Sequence, residues 1–574
     1  MNEVADSSRS GEPREVVAQV ERLAESAERR WQLLAEAYRE VDLDPDAPVS
    51  PAAARGPRER ARELRDHARS FLLPRARDLD APLLVVILGP TGAGKSSLLN
   101  AVAGAPVSRT GVLRPTTRDA VAVGRAVDVG HVIDGGALAG LPPERIERRV
   151  VDVLPGLVLV DTPDVDSVEH ADRALSDQLL EVADLGLFVT TSTRYADRVP
   201  WDVLGRAEQR HLGLVVVVNR MPAGPDAEVV LADLKTLLAE TDLRVREIVS
   251  VADGAVTEDH AALTTSAVGP LTRRLANLSA DAAERHALAA DALAGALRGV
   301  MPLSRSVAED LEQEVRLRQV LLGQARQAYA DQSDQMLERL FSGSFLREEV
   351  IRNWHSFVGA DPVTRFFADR IGQLRGAAAA LLRRGPRAPV AAVQQGATDD
   401  ITALVANHAA EAARQTSERW SDDGYGGSLV AAHPELWASS PGLEATTRRA
   451  VDDWVEALAQ DVAARGEGRR GAARLAALGV NAIAVSLMLI TFASTGGLTG
   501  AEAGIAAATA FLNQKLLNAL FGEAAVQEMI SSARRRLRTA LEALMAAERQ
   551  RFEERLGAIA ERERLADELR SGRP

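Results

Sequence analysis

LLVVILGPTGAGKSSLLN, Leu83 to Asn100, reads as an apolar strand, a glycine-rich turn and the start of a helix. Leu83 to Leu88 form a continuous apolar run, the pattern of a strand buried on both faces. Gly89, Pro90, Thr91, Gly92, Ala93, Gly94, Lys95 and Ser96 then match G-x-x-x-x-G-K-[ST] in full. Small residues at this spacing let backbone N–H groups wrap a phosphate chain at a helix N-terminus, here Ser97 to Ala103. Lys95 is expected to reach the β- and γ-phosphates, and the Ser96 hydroxyl to take a Mg²⁺ position. Gly89 to Ser97 are therefore the candidate nucleotide-binding residues.

Further along, the chain carries Arg114-Pro115-Thr116-Thr117-Arg118-Asp119. A threonine at this distance from the phosphate loop can bring a hydroxyl to Mg²⁺ and an N–H to the γ-phosphate. Thr117 is favoured over Thr116 for that role. Two β-like runs follow, Arg149 to Leu154 and Leu157 to Val160, joined by Pro155-Gly156, and the second ends in Asp161-Thr162-Pro163-Asp164. An acid at the end of an apolar strand suits a carboxylate holding Mg²⁺, which makes Asp161 the third metal candidate beside Ser96 and Thr117. A helix near Ala171 to Val182, a strand Leu185 to Thr190, a helix from Trp201, a strand Leu214 to Val218, a helix Asp226 to Glu240 and a strand Val245 to Val251 complete the pattern. Apolar strands alternating with helices specify a doubly wound, mostly parallel α/β sheet with its ligand at the strands' C-terminal ends.

These motifs resemble those of the Ras-like GTPase superfamily: GPTGAGKSS, RPTTRD, DTPD and NRMP stand in the order of its phosphate, switch, Mg²⁺ and base segments. RPTTRD is similar to the switch sequence of Era-like bacterial GTPases. With helices on both sides of the domain and a late apolar hairpin, the whole chain resembles a bacterial dynamin-like large GTPase. The resemblance implies GTP and GDP as ligands, Mg²⁺ as cofactor, and Asn219 and Arg220 at the base. Two departures stand out. The base-reading Asp of N/T-K-x-D is Pro222 here, which leaves guanine or adenine open. The glutamine that dynamins carry in the phosphate loop is Thr91, and the Ras-type glutamine position is Val165. Water would then be held by backbone of the Thr116–Thr117 loop, and Arg114 or Arg118 could supply the positive charge of an arginine finger; surface arginines are the plainer reading. Slow or self-association-stimulated hydrolysis follows.

The chain has 574 residues, 46% hydrophobic and 26% charged, which calls for several domains of ordinary globular composition. A net charge of -13 argues against a general nucleic-acid binder, and the lack of cysteine removes thiol chemistry and Cys-based zinc sites. The first residues lack the apolar core of a signal peptide. A stripe at Val16, Val20, Leu23, Ala27, Leu34, Ala37 and Val41 predicts a helix, and a second spans about Ala52 to Leu73. Asp281 to Arg465 reads as amphipathic helices with breaks at Gly359–Pro362, Arg384–Pro389, Ser421–Gly427 and Pro434. Trp354, Trp420, Trp437 and Trp454 are expected in its core. Leu475 to Ala501 carries no charged residue, enough for a bilayer core, then Thr495-Gly496-Gly497 and the arm Ala503 to Leu512 suggest a hairpin. Basic residues at Arg469, Arg470, Arg474 and Lys515 flank it. The hairpin either enters a membrane or is buried in a bundle. Ala525 to Leu569 reads as one long charged helix, either returning along a stalk or self-associating as a coiled coil.

The expected organisation is N-terminal helices over 1–80, a P-loop GTPase domain over 81–275, a helical bundle over 276–470, an apolar hairpin over 471–522 and a charged helix over 523–574. Function is expected to be GTP hydrolysis coupled to membrane association or remodelling by a cytoplasmic protein, peripheral or hairpin-anchored. The catalytic candidates are Lys95, Thr117, Thr116 and Arg118. The expected partners are nucleotide, membrane lipid and a second copy through the GTPase domain, without nucleic acid. The rivals are an Era-like assembly GTPase acting on ribosome or RNA, and an anchored scaffold that binds nucleotide with little hydrolysis.

Overall fold

The computed structural model describes residues 12–40, 56–110, 119–163, 170–257, 262–341, 388–466 and 522–571, with the single position 518. They form two compact units, divided at Tyr38/Arg39, Gln313/Glu314 and Ile559/Ala560. The RPTTRD threonines and arginines, Asp164, Val165, Trp354 and the Leu475–Leu512 hairpin lie outside the described residues. Among the described residues no helix is long and apolar enough to cross a membrane.

The first unit is built on a seven-stranded sheet of order β3-β2-β4-β1-β5-β6-β7. The strands are β1 (Leu83–Leu88), β2 (Ala120–Gly124), β3 (Ile146–Val150), β4 (Leu157–Asp161), β5 (Leu185–Thr191), β6 (Gly213–Met221) and β7 (Arg244–Ala252). β1 pairs in parallel with β4 and β5, and β6 and β7 continue that direction. β2 meets β4 antiparallel and carries β3 parallel to itself. The period-two alternation of β1 sorts its side chains between two cores. Leu83, Val85 and Ile87 pack with α4 (Lys95–Ala103) and α9 (Gly269–Ala280). Leu84, Val86 and Leu88 face a larger core fed by α1 (Glu12–Glu40), α2 (Pro57–His67), α5 (Ala126–Asp134), α6 (His170–Val182), α7 (Arg198–Gln209) and the first half of α10 (Ala282–Phe341). α8 (Pro225–Ala239) adds Leu234 and Leu238, and α15 (Ile559–Ser571) adds Leu565, Ala566 and Leu569.

Several local expectations are corrected. The expected strand Arg149 to Leu154 is displaced to Ile146–Val150, and β2 lies between it and β4 in the sheet. At the Pro155-Gly156 junction Leu154 and Gly156 take φ +49° and +75°, and Leu157 N donates to Leu154 O at 3.1 Å. β2 and α5 went unread because AVAVG is short and small. The expected helix to Leu73 is interrupted by one π-turn, Ala68–Leu72, before α3 (Leu73–Arg77). Pro74 explains this, since it has no N–H for the carbonyl four residues back.

The second unit contains the later part of α10 and the helices α11 (Ala388–Ser421), α12 (Gly424–Ala432), α13 (Leu443–Gly466) and α14 (Glu523–Leu556). Its core centres on Trp420, whose ring meets Phe552 edge-on at 5.3 Å and whose Nε1 donates to Leu321 O at 3.1 Å. Trp454 Nε1 donates to Ala533 O at 2.9 Å, so both indoles are buried with their polar atom satisfied. Trp437 does not join them: it ends a short 3₁₀ turn and is 40% exposed. The single C-terminal helix is also corrected. Gly557 takes φ +63°, a backbone conformation that favours glycine, and there α14 ends and α15 starts as a separate helix.

Candidate functional site

Loops at the C-terminal ends of β1, β4, β5 and β6 converge on one site. β1 delivers Gly89, which has φ +149° and packs so closely on β5 that a Cβ there would overlap Val189 O. Gly94, at φ +96°, opens α4, and Leu98 N donates to its carbonyl at 2.9 Å. α4 thus aims its N-terminal N–H groups and positive dipole end at the loop's concave side. Lys95 is 5% exposed, and its ammonium is held over the loop by Gly89 O at 2.9 Å and Pro90 O at 3.4 Å. A buried ammonium across a ring of backbone donors suits a polyphosphate.

Register brings the acid to this loop. Ile87 lies beside Asp161 across the β1–β4 pair, and Asp161 is fully buried. Ser96 Oγ donates to Asp161 Oδ2 at 2.6 Å. A serine hydroxyl and a carboxylate oxygen in contact beside a phosphate cradle are the hard oxygen donors Mg²⁺ takes, so the residues present fit that ion. Thr162 Oγ1 donates to Ile87 O at 2.8 Å and secures the end of β4 to β1.

The base segment is the end of β6, which runs on through Asn219, Arg220 and Met221 rather than stopping at Val218. Asn219 is 4% exposed; its Nδ2 donates to Ala93 O at 2.9 Å and its Oδ1 accepts from Arg220 N at 2.8 Å. This asparagine ties the base segment to the phosphate loop. Arg220 has φ +55° and an exposed side chain, and its carbonyl accepts from Ser192 Oγ at 2.6 Å.

The structure therefore brings together Gly89 to Ser97, Asp161, Asn219 and Arg220. Two further contributors were missed from the sequence. Ser108, 5% exposed, donates to Asp161 Oδ2 at 2.7 Å. Arg194, in the loop after β5, donates through Nη1 to Thr91 O at 2.9 Å and through Nε to Asp197 Oδ2 at 2.8 Å. A lone serine and a loop arginine carry no motif, and only the fold puts them at the site. Nearby, Tyr195 donates its hydroxyl to Asp233 Oδ2 at 2.6 Å, which raises the phenol above its ordinary pKa.

Residues 84–220 match the family described as 50S ribosome-binding GTPase. GTPase Der of Parvibaculum lavamentivorans is 27% identical over 189 residues, 32% of this chain and 35% of that protein. The chain thus spans about a third of the length of that curated relative. Among solved structures, an oligomerised bacterial dynamin pair, described as a mechanism for long-range sensing and tethering of membranes, is 13% identical with a TM-score of 0.36, over 89% of this chain and 90% of that one. The LeoA bacterial dynamin GTPase from ETEC is 13% identical with a TM-score of 0.25, over 98% of this chain and 94% of that one. The sheet unit carries a P-loop GTPase domain.

Proposed function

Starting from that GTPase domain, we propose that this protein is a dynamin-like GTPase of bacterial type that hydrolyses GTP with Mg²⁺ and couples the nucleotide state to membrane attachment. The observation that carries the reading is the 2.6 Å contact of Ser96 with Asp161 beneath a phosphate cradle whose lysine is already in position. In this reading Lys95 and the N–H groups of Gly92 to Ser97 bind the β- and γ-phosphates, and Ser96, Asp161 and Thr117 hold the metal. Mg²⁺ bound there would neutralise charge developing between the β- and γ-phosphates. Thr116, Thr117 and Arg118 contribute the γ-phosphate contacts that hydrolysis removes. Asn219 fixes the base segment, and the exposed Arg220 side chain is the one that would meet the base.

The helices support the coupling. α1 and α15, from opposite ends of the chain, share one core with β1, β4 and β6. Ser26 Oγ donates to Glu568 Oε2 at 3.0 Å, and Arg29 Nε to Glu561 Oε1 at 2.6 Å. A change at the nucleotide therefore has a packed route to the chain ends. On this reading the GTPase domain covers residues 81–275, residues 1–80 supply N-terminal helices, 276–470 helices of a bundle, 471–522 the apolar segment that meets the membrane, and 523–574 the charged C-terminal helices. The protein works at the cytoplasmic face of a membrane and self-associates through its GTPase domains.

The test is phosphate release from GTP and from ATP, with and without anionic liposomes, beside Lys95→Ala. We expect slow turnover of GTP in dilute protein, acceleration on liposomes or at high protein concentration, and at least tenfold weaker nucleotide binding by Lys95→Ala. Turnover at tens per second by the dilute monomer, or binding untouched by Lys95→Ala, would overturn the reading. A second reading has its own support: residues 84–220 match the family described as 50S ribosome-binding GTPase, which favours an assembly GTPase, and cosedimentation with ribosomes instead of liposomes would select it. Nucleotide binding without hydrolysis under any condition would select the anchored scaffold.

A further inference from the structure

We propose that Ser108 is a positioning residue for the metal-binding carboxylate, and that it makes Mg²⁺ occupancy depend on the segment that leads into RPTTRD. The inference rests on the GTPase reading above. Asp161 Oδ2 accepts from two hydroxyls, Ser96 at 2.6 Å and Ser108 at 2.7 Å. Ser96 belongs to α4 and is the residue expected to coordinate the ion. With the Ser96 oxygen given to Mg²⁺, the hydroxyl of Ser108 would still hold the same carboxylate oxygen.

The backbone at Ser108 is fixed for that purpose. Asn100, buried on α4, accepts from Val107 N at 2.9 Å and from Ser108 N at 2.8 Å through Oδ1. Its Nδ2 donates to Ser108 O at 2.9 Å. The side chain of one helical residue thus clasps both peptide groups of Ser108. Val107, 9% exposed, anchors the same turn in the core that holds Ile87 and Leu98. Ser108 therefore arrives at Asp161 on a rigid support that begins one turn of helix after Ser96. It is also the point from which the chain proceeds toward Thr116 and Thr117. Hydrogen bonds to a metal-binding carboxylate orient it, and their removal typically weakens metal binding tenfold or more. A hydroxyl that merely filled space would have no such effect.

The experiment measures release of a fluorescent GDP analogue from full-length protein as free Mg²⁺ is varied, for wild type, Ser108→Ala and Ser108→Thr. In the wild type, Mg²⁺ should slow release with a defined midpoint. Ser108→Ala should raise that midpoint roughly tenfold while leaving release in excess EDTA unchanged. Ser108→Thr keeps the hydroxyl and should restore most of the wild-type midpoint. Asn100→Ala, which loosens the support and not the hydroxyl, should raise it by a smaller factor. A Ser108→Ala midpoint equal to wild type overturns the proposal and leaves the GTPase reading standing. So does an equal acceleration with and without Mg²⁺, which would mean a packing role. A wild type that binds the analogue without regard to Mg²⁺ overturns both.

Discussion

At the scale of single residues, the sheet unit depends on where a side chain cannot exist and on where a charge is disfavoured. Gly89 is the first case, because its φ of +149° and its approach to Val189 O leave no volume for a Cβ. Gly89→Ala should cost roughly 1–3 kcal/mol by denaturant unfolding and lower nucleotide affinity at least tenfold. Wild-type binding by that variant would mean the loop can move away from β5. His67 is the second case. It ends α2, has its ring tilted against Phe71 at 5.7 Å, and has its pKa pressed down to about 4 by its burial and by Arg210. The unfolded chain takes up this proton near pH 6.5 and the folded chain resists it until about pH 4. Stability should therefore fall as pH drops through that window, by up to roughly 3 kcal/mol from this group. Urea midpoints between pH 7.5 and 4.5 measure it, and His67→Gln should flatten the slope. An unchanged slope would assign the pH dependence to other groups.

At the scale of elements, the sheet is locked at both ends. At the nucleotide end Asn219 joins β6 to the phosphate loop, and Arg194 joins the loop after β5 to the same turn. At the opposite end Asp184 accepts from Arg75 Nε and Nη2 at 3.0 and 2.8 Å and from Leu84 N at 2.8 Å, which fastens α3 to the start of β1 and β5. Arg210, buried at the end of α7, lies 5.3 Å from the Phe71 ring and donates to Leu180 O. α10 then crosses this end so closely that a Cβ on Gly295 would overlap Arg210 O. Gly295→Ala should push α10 away and cost roughly 1–3 kcal/mol. Gly269→Ala, where the Cβ meets open space, should stay within about 0.5 kcal/mol of wild type. Equal urea midpoints for the two variants would show that the α10 contact tolerates the added volume. These locks were invisible in the sequence because Asp184, Arg210 and Gly295 each look ordinary beside their neighbours. Only packing brings them within reach of one another.

At the scale of the molecule, the proposed membrane role turns on Leu475 to Gln514, outside the described residues. Flotation with anionic liposomes, with a GTP analogue, with GDP and without nucleotide, should depend on that stretch and change with nucleotide. A deletion of it that still folds should remain at the bottom of the gradient. No flotation in any state would make the stretch a buried element and shift the function toward a scaffold or assembly GTPase.

The sequence by itself determined the nucleotide-binding loop, the acid at the end of the neighbouring strand, and the alternation of strands and helices. Each is written in consecutive residues, as G-x-x-x-x-G-K-S, as an apolar run closed by Asp161, or as a hydrophobic period. Tertiary structure alone decided that β2 inserts between β3 and β4, that Gly557 parts α14 from α15, and that α1 and α15 complete one core of the sheet unit. It alone brought Ser108 and Arg194 to the site. The reason is physical: strand order and helix docking are set by which buried faces fit together across long separations, and a local pattern carries no record of its distant partner.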